Sequence, residues 1–352
     1  MAYLSSLAQS LTPYQAGEQP KDKKYIKLNT NENPYPPSPK VEAAMREAAQ
    51  ALRLYPDMDS TAFCQAAAKV NGIRPEQVFA GNGSDEVLAF AFAAFFAGKR
   101  LLAPDISYSF YPVYARLFGA VYETVPLKDD FSVDVQGLLQ DASVVLANPN
   151  APTGISLPLE TLTVMAEYLQ SCGQVFLIDE AYEAFSPENA VSLLNRFDNV
   201  LIVRTLSKSH ALAGLRVGYA MGHPALIDGL NRVKDCFNSY SLDRLAQAAA
   251  TAAMEDEPYY EKVNKQVSLT RDLTRDALLK ADIPVLQSHT NFLFVKADDI
   301  SAAWVQARLK ERGILVRHFD KPRIAPYLRV SIGTPEEMAV VVRELVSIIR
   351  QC

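Results

Sequence analysis

Hydrophobic and polar positions alternate between two periods along the first part of the chain. Short apolar runs recur at 78–80, 101–103, 121–125, 144–147, 175–178, 200–204 and 218–220. Between them, stretches at 40–53, 60–70, 84–97, 110–118 and 158–171 carry helical spacing. Several of the short runs are apolar at every position, as strands are when helices cover both faces. This alternation predicts an α/β fold around a mainly parallel, seven-stranded sheet.

The pattern changes near residue 225. A largely helical region runs to about 280, followed by predicted strands at 291–296, 314–318 and 327–332 and a closing helix over 335–349. Thr334 reads as the N-cap of that helix, with Pro335 at its first position. The expected organisation is a large domain over 37–240, a smaller α+β domain over 241–352, and an N-terminal arm over 1–36 packing with the small domain. Residues 29–39, NTNENPYPPSP, cannot be helical, because proline removes donors and disfavours α geometry in the residue before it. That stretch is either a linker or an ordered loop over a site.

Composition narrows the class. The chain has 352 residues, 35 Lys+Arg against 40 Asp+Glu, and a net charge of -5, values that argue against disorder and against a nucleic-acid partner. Its four cysteines form no CxxC and its four histidines no HxxxH, so neither a disulfide framework nor a zinc site is expected. The first 20 residues lack the basic and apolar regions of a signal peptide. The most apolar run, 87–97, is far shorter than the ~20 residues that span a bilayer. The expectation is a cytoplasmic protein with no membrane association.

Four segments that follow predicted strands could carry chemistry. Gly81-Asn82-Gly83-Ser84-Asp85-Glu86 follows a strand and opens a helix, where free N–H groups and the dipole favour a phosphate. An ordinary capped βα turn would look the same. Asn148-Pro149-Asn150-Ala151-Pro152-Thr153-Gly154 places polar atoms at another strand end, or is a plain Pro-Gly turn. Asp179-Glu180-Ala181-Tyr182 puts two acids and a phenol at a third, where a buried carboxylate would need a cation. Thr205-Leu206-Ser207-Lys208-Ser209-His210 sets Lys208 among small and apolar residues, with Arg216 eight positions on. A desolvated lysine there has a lowered pKa and can act as a nucleophile, although most loop lysines are solvated charges.

Their order is more informative than any one of them. A phosphate-type helix start, an Asn-rich turn, a strand-end acid and a lysine together describe a pocket for an anionic cofactor with a protonated ring nitrogen and an aldehyde. Pyridoxal 5'-phosphate has those features.

The sequence resembles the fold-type I pyridoxal-phosphate-dependent aminotransferases over nearly its whole length. The stretches that carry the resemblance include IKLNTNENPYPPSP, GNGSDEVL, NPNAPTG, LIDEAYEAF and RTLSKSHALAGLRVGYAMG. LTPYQAGEQP and LYPDMDS are similar to the histidinol-phosphate branch of that family. The resemblance implies that Lys208 bonds the cofactor's aldehyde and later moves a proton. It implies that Asp179 pairs with the ring nitrogen, Tyr182 with the ring hydroxyl, and that Tyr108 stacks on the ring. Gly83, Ser84, Asp85, Ser207 and Arg216 would hold the phosphate. Arg329, helped by Arg317, would bind the substrate's anionic group, and Tyr14 and Asn33 would lie over the substrate. Tyr55 would reach in from the partner subunit of a homodimer. The family often has Asn immediately before Pro-Thr-Gly, where this chain has Ala151, so Asn148 or Asn150 takes over that contact or Tyr182 serves the ring oxygen alone.

The implied reaction is transamination of L-histidinol phosphate with 2-oxoglutarate, both small molecules. The alternatives on the same scaffold are an aromatic amino-acid aminotransferase and a threonine-phosphate decarboxylase. A non-catalytic effector-binding domain of a regulator is the reading from another class. The short, weakly basic arm and the Lys208–Asp179 pair argue against it.

Overall fold

The computed structural model describes residues 3–12, 17–297 and 300–350. Its strands are β1 (Ile26–Lys27), β2 (Val78–Gly81), β3 (Arg100–Pro104), β4 (Val121–Val125), β5 (Ser143–Ala147), β6 (Phe176–Asp179), β7 (Val200–Thr205), β8 (Gly218–Gly222), β9 (Phe292–Lys296), β10 (Ile314–Leu315), β11 (Arg317–His318) and β12 (Tyr327–Ser331). Seven of them form the central sheet in the order β2-β8-β7-β6-β5-β3-β4. All neighbours pair in parallel except β8, which runs antiparallel to both β2 and β7.

The continuous apolar runs are explained by two cores. Val144, Leu146, Phe176, Ile178, Val200 and Ile202 enter one core, and their alternating neighbours Val145, Ala147, Leu177, Leu201 and Val203 enter another. A period-2 strand buried on both faces has no polar side. Edge strand β4 is mostly exposed, and Glu123 on it pairs with Arg100 of β3. Charge on an edge discourages pairing with another chain.

The expected strand over 314–318 is two short strands serving different sheets. β10 pairs in parallel with β1 of the arm, and β11 pairs with β12, which pairs with β9. The closing helix Pro335–Ile349 starts at Thr334, whose hydroxyl accepts from Glu337 N while Glu337 Oε2 accepts from Thr334 N. Such a capping box contributes about 1 kcal/mol. Helix Arg244–Met254, which the expected division assigns to the small domain, buries Ala246, Ala249, Ala250 and Ala253 in the same core as helix Thr61–Asn71. Packing is therefore continuous across residue 240, because an alanine face lets these helices lie close to the large sheet's layer. Among the described residues no helix is long and apolar enough to cross a membrane.

Candidate active site

Strands β5, β6 and β7 end at one cavity of about 440 Å³, at the carboxyl edge where open α/β sheets bind ligands. Asp179, Lys208, Arg216, Tyr108, Arg317 and Arg329 all contribute to its wall.

Asp179 closes β6 and is 5% exposed. Its Oδ2 accepts from Tyr111 Oη at 2.8 Å and its Oδ1 from Ala181 N at 3.1 Å. Burial nevertheless pushes the carboxyl up to about 6, and the charges acting on it, Asp85 and Glu180, push the same way. The result is a buried acid held in place by two donors, with no ion pair to a cation among the described residues. A cationic ligand group would supply what it lacks.

Lys208 sits in the short turn Leu206–Ser209 after β7, where Thr205 Oγ1 accepts from Ser207 N at 3.1 Å. Its Nζ donates to Thr30 O at 2.9 Å. Burial, with help from Arg329, lowers the amine to about 8, while Glu32 and Asp85 oppose the shift. The desolvated lysine expected between Ser207 and Ser209 is therefore present. At neutral pH about a tenth of it is the neutral nucleophile.

The anion cradle lies at the start of helix Gly83–Ala91. Gly83 has φ +79°, and a Cβ there would lie 2.5 Å from Arg216 Nη2. Gly218 of β8 lets the sheet approach the same turn, since its Cβ would lie 2.2 Å from Ser84 N. Arg216 Nη1 donates to Ser207 Oγ at 3.4 Å and Nη2 to Asp85 Oδ2 at 3.0 Å. Asp85 also accepts from Tyr108 Oη at 2.7 Å and Tyr114 Oη at 3.3 Å. With its carboxylate so occupied, Asp85 can serve an anion only through its backbone N–H.

From the small sheet, β11 and β12 bring Arg317 directly opposite Arg329 in the wall of the same cavity. Like charges facing each other across strands are unfavourable, and an anionic ligand group between them would relieve that repulsion. Arg329 Nη2 donates to Asn29 O at 3.1 Å, and its guanidinium lies 5.4 Å from the Phe292 and Phe319 ring centres. Glu32, ion-paired with Lys27, shares this wall.

Some expected residues lie elsewhere. Asn148 Oδ1 accepts from Leu157 N at 2.7 Å, and Asn150 Nδ2 donates to Ile106 O at 2.9 Å and Thr153 Oγ1 at 3.0 Å. Asn148 braces its own connection, Asn150 ties that loop to residues 106 and 107 after β3, and it is Ala151 that faces the cavity. Asn33 is not over the cavity either; its Nδ2 donates to Lys208 O at 3.0 Å and its Oδ1 accepts from Tyr35 N at 3.1 Å. Tyr55, expected to serve the partner's site and not this one, is 79% exposed and stacks on Tyr240, with ring centres 4.8 Å apart. Tyr14 falls outside the described residues. Three contributors were missed: Tyr111, hidden in an apolar helix; Thr30, acting through its carbonyl; and Asn31, whose Nδ2 donates to Tyr182 Oη at 2.8 Å. Only the polar stretch 29–33 hinted at the last two.

The chain is similar to known aminotransferases over nearly its whole length. The aminotransferase class I and II family matches residues 23–345. A histidinol-phosphate aminotransferase of Clostridium beijerinckii is 46% identical over 346 residues, 97% of this chain and 96% of that protein. Histidinol-phosphate aminotransferase 1 of Burkholderia pseudomallei is 50% identical over 349 residues, 97% of this chain and 98% of that protein. The crystal structure of histidinol-phosphate aminotransferase from Sinorhizobium meliloti, in complex with pyridoxal-5'-phosphate, superposes with a TM-score of 0.89 at 28% identity, covering 100% of this chain and 98% of that one.

Proposed function

The chain belongs to the class I and II aminotransferases, and from that premise we propose that it transfers the amino group of L-histidinol phosphate to 2-oxoglutarate, yielding imidazole acetol phosphate and glutamate for histidine biosynthesis. The family depends on pyridoxal 5'-phosphate. The residues present fit that group. Asp179 is a buried acid awaiting a cation, Lys208 is an amine lowered to about 8, and Gly83 opens a cradle that a Cβ would close against Arg216.

Pyridoxal phosphate, when bound, supplies an aldehyde that takes up the amino group and a ring that delocalises the charge left when the substrate's α-proton departs. The chain's residues do the rest. Ser84, Ser207 and Arg216 would hold the phosphate, with the backbone N–H groups of Gly83 and Asp85. Asp179 would fix a protonated ring nitrogen, since a buried carboxylate favours the cationic form beside it. Lys208 Nζ, partly neutral near pH 8, would accept the α-proton and return it to a neighbouring carbon. Tyr108 would pack against the ring face, and Tyr182 would donate to the ring oxygen. Arg329 and Arg317 would bind the donor's phosphate, then a carboxylate of the oxo acid.

The observation that carries the substrate reading is the facing pair Arg317 and Arg329, a second cationic group in the wall of the cavity that also holds the cradle. That pair suits a donor with its own anionic group. The dimer reading draws on a surface of exposed apolar side chains: Tyr55 and Phe237, at 79% and 78%, with Leu52 and Leu54. A partner covering it would carry its own Tyr55 toward the site. The test of function is glutamate formation from 2-oxoglutarate with a panel of donors. Strong dependence on L-histidinol phosphate is expected. Preference for an aromatic amino acid, or release of carbon dioxide from threonine phosphate, would overturn it.

A further inference from the structure

Asn31 is 1% exposed and sits at φ +57°, in the left-handed region that asparagine enters more readily than most residues. Its hydrogen bonds explain why it is held there. The backbone N donates to Ser331 Oγ at 2.8 Å, and the side-chain Oδ1 accepts from the same hydroxyl at 2.9 Å. Its carbonyl accepts from Asn291 Nδ2 at 2.9 Å. These three bonds fasten the arm to the small antiparallel sheet. The fourth leaves it, as Nδ2 donates to Tyr182 Oη at 2.8 Å, just beyond the end of β6. Both residues contribute to the cavity wall. The asparagines of the 148–154 loop do not compete for this role, because Asn148 is bonded to Leu157, Asn150 to Ile106 and Ser107, and the wall carries Ala151.

We propose that Asn31 is a positioning residue for Tyr182, orienting its hydroxyl and strengthening it as a donor toward the cofactor's ring oxygen. An oxygen that accepts one hydrogen bond becomes a better donor of its own proton, so the Asn31 amide and the Tyr182 hydroxyl act in series. Phe292, edge-on to Tyr182 with ring centres 5.2 Å apart, keeps the phenol from turning away. The arrangement also ties the arm and the small sheet to the cofactor side of the cavity, through Ser331 and Asn291. This inference rests on the proposed pyridoxal-phosphate chemistry.

The test is a pH titration of the visible absorption band of the cofactor-loaded protein, without amino donor. The charged groups around the cavity, Lys208, Asp179, Asp85, Glu32, Arg216, Arg317 and Arg329, are the same in every variant compared. Asn31→Gly tolerates the positive φ and lacks the amide; Asn31→Ala lacks the amide and is strained there. A weaker donor leaves the ring oxygen more basic, so both variants should move the midpoint to higher pH by the same amount. That amount is roughly 0.4–1 pH unit, the size of one hydrogen bond. Tyr182→Phe should move it further, and adding Asn31→Gly to Tyr182→Phe should add nothing. A midpoint unchanged in Asn31→Gly, a shift that follows melting temperature instead of the amide, or an additive double variant would overturn the proposal. Absence of the band in the parent protein would instead refute the cofactor reading beneath it.

Discussion

The two ends of the cavity are built by opposite means. The end holding Asp179 and Lys208 is set on the central strands β6 and β7, whose residues are all buried. The end holding Arg317 and Arg329 is set on a small three-stranded sheet, braced by the arm, with both arginines only partly buried. At the first end, loss of water moves an acid up to about 6 and an amine down to about 8. At the second, two partly exposed cations face each other across paired strands. The difference shows that altering proton affinity needs a dry, rigid frame, whereas capturing an anion needs cations an incoming ligand can reach.

The largest expected effect lies at the buried end. Lys208→Ala should lower turnover at least about 10³-fold while the fold persists, because the residue that moves the proton is gone. Single-turnover rates check this, and near-parental activity would break the contrast between the ends. Next, Arg329→Ala and Arg317→Ala should each reduce kcat/KM for the phosphate-bearing donor about 10–100-fold, the weight of a charge-assisted hydrogen bond. The visible band of the bound cofactor should remain in both variants. Steady-state kinetics with a charged and an uncharged donor separate that loss from general damage.

The smallest effect is one of stability, and its sign is opposite to the effect on activity. The raised carboxyl of Asp179 costs the cofactor-free protein stability as pH rises from about 4, its unfolded value, through about 6. Below that window the acid is protonated in both states and the cost vanishes. Asp179→Asn should therefore raise the stability of the cofactor-free protein at neutral pH by up to about 3 kcal/mol, while lowering activity. Denaturant melts of both proteins on either side of the window check it. A variant less stable than the parent at neutral pH would contradict the buried-acid account.

Much of this was legible in the order of residues, and the exceptions have physical reasons. The strands and helices of the large sheet follow from their periodicity, because burial on both faces leaves an unbroken apolar signature. Lys208, Asp179 and Arg216 are readable because each stands at a fixed offset from a strand end. Asn31 and Thr30 are not, since their roles depend on contacts with residues 151 and 178 positions away. Asn148 and Asn150 stayed open for the complementary reason: a strand-end asparagine can bond neighbouring backbone, as these do to Leu157 and Ile106, as readily as a ligand, and sequence does not say which. The split of 314–318 into β10 and β11 was hidden because a uniform apolar-to-basic run serves two sheets.

One measurement bears on the central claim, that a buried amine–acid pair and a facing arginine pair together select a phosphate-bearing amino donor. The protein loaded with pyridoxal phosphate is mixed with L-histidinol phosphate or with L-phenylalanine, without oxo acid, and the visible band is followed through one turnover. The account predicts rapid loss of the band with histidinol phosphate and much slower loss with phenylalanine. Faster loss with phenylalanine would contradict the role given to Arg317 and Arg329, and a protein that forms no such band would contradict the role given to Lys208.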